Sequence, residues 1–456
     1  LYLKAAGLAG ARLDAPAAPQ AGADAFSELI GAVLDQWALV KRRRVDAALT
    51  TAGEISSPFA AAGQLLVHRA LLLERARRFG EAEDAYRAAH ASLDMPDYTA
   101  LLLGAFLERR GRAEAAVSLY RDRLQQAGAQ PDPEVRAALA RAEAGRRAPR
   151  FPRPDEAAAQ ALFAPAALLT NQAPADYSAL FLRLIERLDP DFQRNTFAVA
   201  EMLDELDLDE AALSTYRAMD EGAFAARAGV QAAWLTFRAG RDEQAVEAAR
   251  ALIDEAGTEN AHLVLADMLR LSGRCAEAAP IYEQVAEARR ADGQSPDWRH
   301  FYYAGVCRQR SAGWAAAEPL LLDALELAPD EPRVLNHLGY NWIVQGAREE
   351  EGFDLVARAA ELAPENGAVL DSLGWGHFKQ GRLDQAVRWL EAAVERAPGN
   401  PTINWHLGDA YAAAGRDLEA RFQWRRALEL DPEARERALL ERRLELGLAA
   451  GPTDLE

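Results

Sequence analysis

A self-similarity with a period of 34 residues constrains what this chain can fold into more than any other feature. Leu407-Gly408-Asp409-Ala410-Tyr411, followed by Gly415, Ala420, Trp424, Ala427 and Pro432, is matched one period earlier by Leu373-Gly374, Gly381, Ala386, Leu390, Ala393 and Pro398. With one residue inserted, the frame continues back to Leu338-Gly339, Trp342, Gly346, Gly352, Ala359 and Pro364. A chain that repeats in this way builds its core between successive copies of one small unit, so length adds units rather than new folds.

Each unit reads as two antiparallel helices. The small residue of the Leu-Gly pair lets two helices approach closely, and the later Gly ends the first helix in a left-handed turn that a Cβ would strain. Two Ala residues spaced two turns apart keep the second helix close to the first, and Pro ends the pair. Replacing Gly374 by Leu is expected to overpack the crossing at a cost of about 1–3 kcal/mol.

Composition agrees with helix throughout. Half of the 456 residues are hydrophobic and 27% are charged, with Ala, Leu, Glu and Arg dominant. These are strong helix formers. The net charge of −18 argues against nucleic acid as a partner, since phosphate binding needs surplus cations. No run of about 20 apolar residues is present to span a bilayer. The chain begins at Leu1 rather than Met, which leaves room for a leader upstream.

The repeat frame resembles that of the tetratricopeptide-repeat family, and the resemblance covers most of the chain. Further units contain Ala304-Gly305, Leu265-Ala266, Ala232-Ala233, Ala198, Leu103-Gly104 and Ala70, making nine clear units and two degenerate ones. In the Ala198 unit Leu206 stands where the turn Gly is usual. The implied fold is all-α, a right-handed superhelical solenoid of antiparallel helix pairs. Residues 1–144 are expected as an N-terminal lobe with a degenerate pair, including Ala5, Leu8 and the amphipathic Phe26 to Val40, ahead of two units at about 63–96 and 97–130. Pro and Arg residues at 145–157 are expected to form an exposed linker, 158–434 a C-terminal array with Pro165 intruding on its first helix, and 435–456 a capping helix and tail.

In this family the first helix of each pair lines the concave groove. Carrying those positions over one by one gives Arg299 and Tyr302; Arg333, Asn336 and Tyr340; Asp371, Trp375 and Phe378; and Trp405 and Asp409 as candidate partner-binding residues. Aromatic rings supply contact area at low entropic cost and polar groups fix register, which suits an extended peptide or a helix. The alternative is that these rings pack between repeats. Tyr340, Trp375 and Asp409 stand where a carboxylate-clamping groove would need amides or cations. Asp371 and Asp409 are expected instead to attract a basic segment, or one recognised by aromatic rings.

Catalytic and metal-binding patterns are not found, so the expectation is a non-enzymatic protein with no cofactor. The seven histidines are scattered, and no metalloprotease helix motif, nucleophile elbow or phosphate loop occurs. Cys275 and Cys307 fall on adjacent antiparallel helices in the repeat frame, either as two buried thiols or as a disulfide. Lys41 to Arg44, the Arg residues from Arg146 to Arg153, and Asp204 to Glu210 read first as solvated surface. The block from Leu335 to Pro432, with Asp371-Ser372-Leu373-Gly374-Trp375 and Glu419-Ala420-Arg421-Phe422-Gln423-Trp424, resembles envelope-associated tetratricopeptide proteins of proteobacteria. That resemblance implies a scaffold in cell-envelope assembly or secretion, periplasmic or outer-membrane-associated, with a membrane-associated complex as its setting. A cytoplasmic adaptor and a fixed subunit of a large assembly are the alternatives.

Overall fold

The computed structural model describes residues 25–52, 65–92, 95–127, 131–170, 175–256 and 258–450, so Ala5 and Leu8 lie outside the described residues. The chain divides into two compact units, Leu1–Ala256 and Gly257–Glu456. The first contains α1 (Ala25–Lys41), α2 (Val45–Ala52), α3 (Leu66–Arg75), α4 (Phe79–Ser92), α5 (Pro96–Arg109), α6 (Ala113–Gln126), α7 (Pro133–Glu143), α8 (Pro154–Thr170), α9 (Ala175–Leu188), α10 (Gln193–Glu205), α11 (Asp209–Arg217), α12 (Ala225–Arg238) and α13 (Asp242–Ala256). The second contains α14 (Glu259–Leu271), α15 (Cys275–Ala291), α16 (Trp298–Ala312), α17 (Trp314–Leu327), α18 (Pro332–Gln345), α19 (Glu349–Leu362), α20 (Gly367–Lys379), α21 (Leu383–Arg396), α22 (Pro401–Ala413), α23 (Asp417–Glu429) and α24 (Ala434–Leu446). Among the described residues all regular structure is helical.

The nine clear units of the sequence are nine packed helix pairs, α3/α4, α5/α6 and α10/α11 through α22/α23. Local chemistry sets their limits. Pro364 and Pro398 follow helices, and Asn366 and Asn400, one period apart, cap the next ones by accepting from the backbone N–H of Ala368 and Ile403. Inside a pair the turn is left-handed, at Gly381 with φ 70° and Gly415 with φ 76°. In the unit where Leu206 breaks the pattern, Asp207 takes that conformation with φ 56°. At the crossing of α18 and α19 the small residues meet backbone to backbone. A Cβ on Gly339 would lie 2.6 Å from the Gly352 carbonyl oxygen, and one on Gly352 would lie 2.7 Å from the Gly339 oxygen. At Gly374 a Cβ would lie 2.6 Å from Leu390 Cγ, in line with the expected overpacking.

A polar ladder repeats with the same period. The Tyr86 hydroxyl donates to Glu74 at 2.9 Å while Arg109 pairs with Glu74 at 2.7 Å. One unit later Tyr120 donates to Glu108 at 2.9 Å and Arg141 pairs with it at 2.6 Å. Each buried carboxylate is thus satisfied by its own second helix and by the next repeat, which removes the cost of burying it alone.

The 145–157 segment is not a linker between the two units, because the division falls at Ala256/Gly257 and the segment packs within the first unit. Phe151 lies against Arg75 and Arg109 at the C-terminal ends of α3 and α5, with the guanidinium carbons 6.0 and 5.7 Å from its ring centroid. Arg150 and Arg153 both hold Glu156, and Lys41 at the end of α1 meets Asp155 at 3.7 Å. The chain therefore runs back past the ends of three first helices before α8 begins. α8 then packs against α1 and α3 as well as α9, and continues through Pro165. Tyr98 of α5 donates to the Gln160 carbonyl at 2.6 Å and its ring meets Phe163 at 5.1 Å. Ala157, Ala158, Ala159, Ala161, Leu162, Phe163, Ala164 and Ala166 are all buried. A stretch apolar around nearly its whole circumference has little solvent face to offer, and it forms an interior helix.

Candidate functional site

The first helices of the second unit carry the candidate residues, and the structure sorts them into two groups. α16 starts with Asp297 accepting from the Arg299 backbone N–H, which fixes the helix end and places Trp298 and Arg299 together. The Trp298 ring has Arg299 at 5.0 Å on one contact and Arg333, at the start of α18, at 4.8 Å on another. Both guanidinium groups are exposed, and each is paired with an acid beside it, Asp297 at 2.8 Å and Glu331 at 2.9 Å. Tyr302 is half-buried, with its ring 5.8 Å from Trp298 and 5.8 Å from His337. Burial raises the Tyr302 phenol pKa, so the group remains a neutral donor and acceptor.

On α18, Asn336 and Tyr340 are half-buried, and the Asn336 Oδ1 is buried with no hydrogen-bond partner among the described residues. Gln309 bridges α16 to α18 by donating to Asn341 at 2.6 Å while its Oε1 lies 2.7 Å from His337 Nε2. Burial lowers the His337 pKa to about 4, so the ring is neutral at pH 7. Phe378 and Trp405 are half-buried as well.

Asp371, Trp375 and Asp409 are spent on the protein interior, contrary to their expected place in an open groove. Trp375 is 2% exposed and lies between Phe378 and His406, with centroids 4.7 and 4.0 Å away and near-parallel rings. Asp371 holds His406 Nδ1 at 2.9 Å. Asp409, 1% exposed, accepts from Trp424 Nε1 at 2.9 Å, Trp405 Nε1 at 3.1 Å and Arg443 of α24 at 3.1 Å. Burial raises the Asp409 carboxyl pKa against the pull of Arg443 and the indole donors. Neither carboxylate is placed to attract a basic segment from solution. The accessible set is Arg299, Tyr302, Arg333, Asn336, Tyr340, Phe378 and Trp405.

Two residues absent from the expected set belong in this description. Trp298 organises Arg299 and Arg333, and a sequence signal existed in its place directly before Arg299. Arg443 neutralises Asp409 from 34 residues downstream, so the repeat period itself points to it once α24 is seen to continue the series of first helices. Cys275 and Cys307 are free, buried thiols, and burial together with the neighbouring Cys275 pushes the Cys307 thiol up to about 12. Among the described residues no group of three or more His, Cys, Asp or Glu side chains is placed to hold a metal ion, and no helix is long and apolar enough to cross a membrane.

Comparison with known proteins addresses the repeats directly. Residues 377–444 match the family model described as Tetratricopeptide repeat. No curated protein matches the chain. Among solved structures, MamA AMB-1 is 26% identical over 37% of this chain and 97% of its own, with a TM-score of 0.31. YrrB, described as a TPR protein with an unusual peptide-binding site, is 19% identical over 43% of this chain and 99% of its own, with a TM-score of 0.32. The APC/C hetero-tetramer Cut9-Hcn1 is 14% identical over 92% of this chain and 83% of its own, with a TM-score of 0.45. The matched segment holds the last tetratricopeptide repeats of the chain, and the same frame runs back through the other helix pairs.

Proposed function

We propose that the protein is a non-enzymatic scaffold that binds an extended or helical segment of a partner protein along the first helices of its second unit. The observation that carries this reading is the row of Arg299, Tyr302, Arg333, Asn336, Tyr340, Phe378 and Trp405, none of them buried, on consecutive first helices. Aromatic and Arg side chains are the residue types that dominate binding energy where proteins meet. The ligand is a segment with apolar or aromatic anchors and backbone carbonyls that accept from the Asn336 amide and Arg333, and the sequestered Asp371 and Asp409 take no part in choosing its charge.

The resemblance of the Leu335 to Pro432 block to envelope-associated tetratricopeptide proteins supports placing this scaffold in cell-envelope assembly or secretion, on the periplasmic side of a Gram-negative envelope. Affinity capture by the tagged full chain tests both parts. An Arg333→Glu, Phe378→Ala variant is expected to lose the partners of the wild type while keeping its circular dichroism spectrum. Unchanged partners in the variant overturn the groove, and cytosolic partners lost in the variant keep the groove and overturn the compartment.

A further inference from the structure

The second face that asks for an occupant is the outer stripe of α23, independent of the groove proposed above. Leu418 and Phe422, one turn apart, are 86% and 65% exposed, the two most exposed large apolar side chains among the described residues. Their helix is otherwise well seated, since Ala420, Trp424 and Ala427 on its opposite face are buried against the core that includes Leu407 and Ala410. Single exposed apolar residues are ordinary, but two adjacent ones at this exposure on a rigid helix form a contact surface.

The charges around them are ordered along the helix. Asp417 and Glu419 are exposed at its start, and Arg425 and Arg426 are exposed toward its end, with no hydrogen bond or ion pair at Arg425. Antiparallel pairing of two such helices about Phe422 sets each residue opposite the one equally far on the other side. Arg425 then faces Glu419, which Arg416 of its own chain also holds, the two Phe422 rings meet at the centre, and Leu418 lies opposite the stem of Arg426. It also opposes the two helix dipoles. A stripe with apolar centre, acidic start and basic end is complementary to itself, and two-fold interfaces are the commonest kind in protein oligomers.

We infer that α23 is a dimerisation helix, packing antiparallel on α23 of a second copy of this chain, with Phe422 at the two-fold axis and Arg425 of each copy paired with Glu419 of the other. Sedimentation velocity of the full chain over ~1–200 μM is expected to show a reversible monomer–dimer equilibrium with a micromolar Kd. The L418D/F422D variant is expected to stay monomeric with an unchanged helical spectrum, because only exposed side chains are altered. R425E is expected to weaken dimerisation about tenfold, and E419R/R425E, which swaps the pair, to restore it. A wild-type chain that is monomeric throughout overturns the proposal and assigns the stripe to a different protein or to a membrane. A dimer that persists in L418D/F422D, or a charge swap that fails to restore R425E, overturns it also.

Discussion

In the first unit the first helices α1, α3 and α5 are met by α8, buried from Glu156 to Ala166 except at Gln160, whereas in the second the first helices α16, α18, α20 and α22 keep half-buried rings and exposed guanidinium groups along their free side. Among the described residues of the second unit, no helix is laid across them as α8 is laid in the first. The same repeat therefore yields a filled groove in one place and an open one in another. What distinguishes them is a composition change: small Ala residues and Phe163 where a partner helix is built in, Trp, Tyr and Arg where a partner has to be recruited. Covering a groove with the chain's own helix adds apolar burial to the folding free energy, and leaving it open keeps that surface for binding.

Breaking α8 should produce the largest effect and confine it to one unit. Phe163→Ala removes a ring that is 4% exposed and packs against Tyr98 and Phe192, at an expected cost of about 3–5 kcal/mol. Hydrogen exchange should then show loss of protection in α1, α3, α5 and α8 with α18 to α22 unchanged. Equal loss in both units would mean that the chain folds as one cooperative block and that α8 is not a local filler.

In the second unit the matching test is Arg443→Ala. It leaves Asp409, 1% exposed, without its cation, and breaking a buried pair from one side costs about 3–5 kcal/mol. Urea unfolding followed by circular dichroism reads the change, and hydrogen exchange in α22 to α24, where Trp405 and Trp424 both donate to Asp409, locates it. A midpoint within error of wild type would show that the carboxyl is neutral, and that α24 is held by Leu439 and Leu440 alone.

Acid should act on the two units alike. Burial lowers the pKa of His68 to about 3 in the first unit and of His337 to about 4 in the second, so both rings are neutral when folded. The unfolded chain takes up their protons near pH 6.5, and between that pH and the folded values it binds more protons than the native state. Stability is thus intact above about pH 6.5 and falls as pH drops, each histidine contributing a loss of about 2 kcal/mol by pH 5. Urea midpoints at pH 7.5 and 5.0 check the sign, and His68→Gln should flatten the dependence in the first unit only.

How far the sequence led depended on whether a feature obeyed the period. Helix pairs, turns and caps did, because Gly339, Gly381, Asn366 and Asn400 act within one unit. The polar ladder of Glu74 and Glu108 recurs with the period too, but it came to light only in the structure, because Arg109 and Arg141 reach each carboxylate from the next unit. The reach of α8 was not. Its Ala-rich stretch has the composition of any repeat helix, and the Pro and Arg residues before it look solvated until Phe151 and Glu156 are seen to hold them down. Asp371 and Asp409 show a narrower limit. Their position on the first helix was legible, but His406 and Arg443, one repeat further on, close over them, and no pattern within a single unit reports the side chains of the next.

The smallest expected stability change carries the sharpest statement about the open groove. Arg333 is exposed, with Glu331 and the Trp298 ring as its contacts among the described residues, so Arg333→Glu should shift stability by less than about 1 kcal/mol. Trp375→Ala, on the same array of first helices, should cost about 3–5 kcal/mol because its ring is 2% exposed between Phe378 and His406. Partner capture by the two variants at a temperature where both are folded separates surface from scaffold. Arg333→Glu should lose the partner with its melting temperature nearly unchanged, and Trp375→Ala should keep it despite a lower one. The reverse result would place the recognition surface in the stacked rings, and would mean that the Trp375 layer opens when a partner arrives.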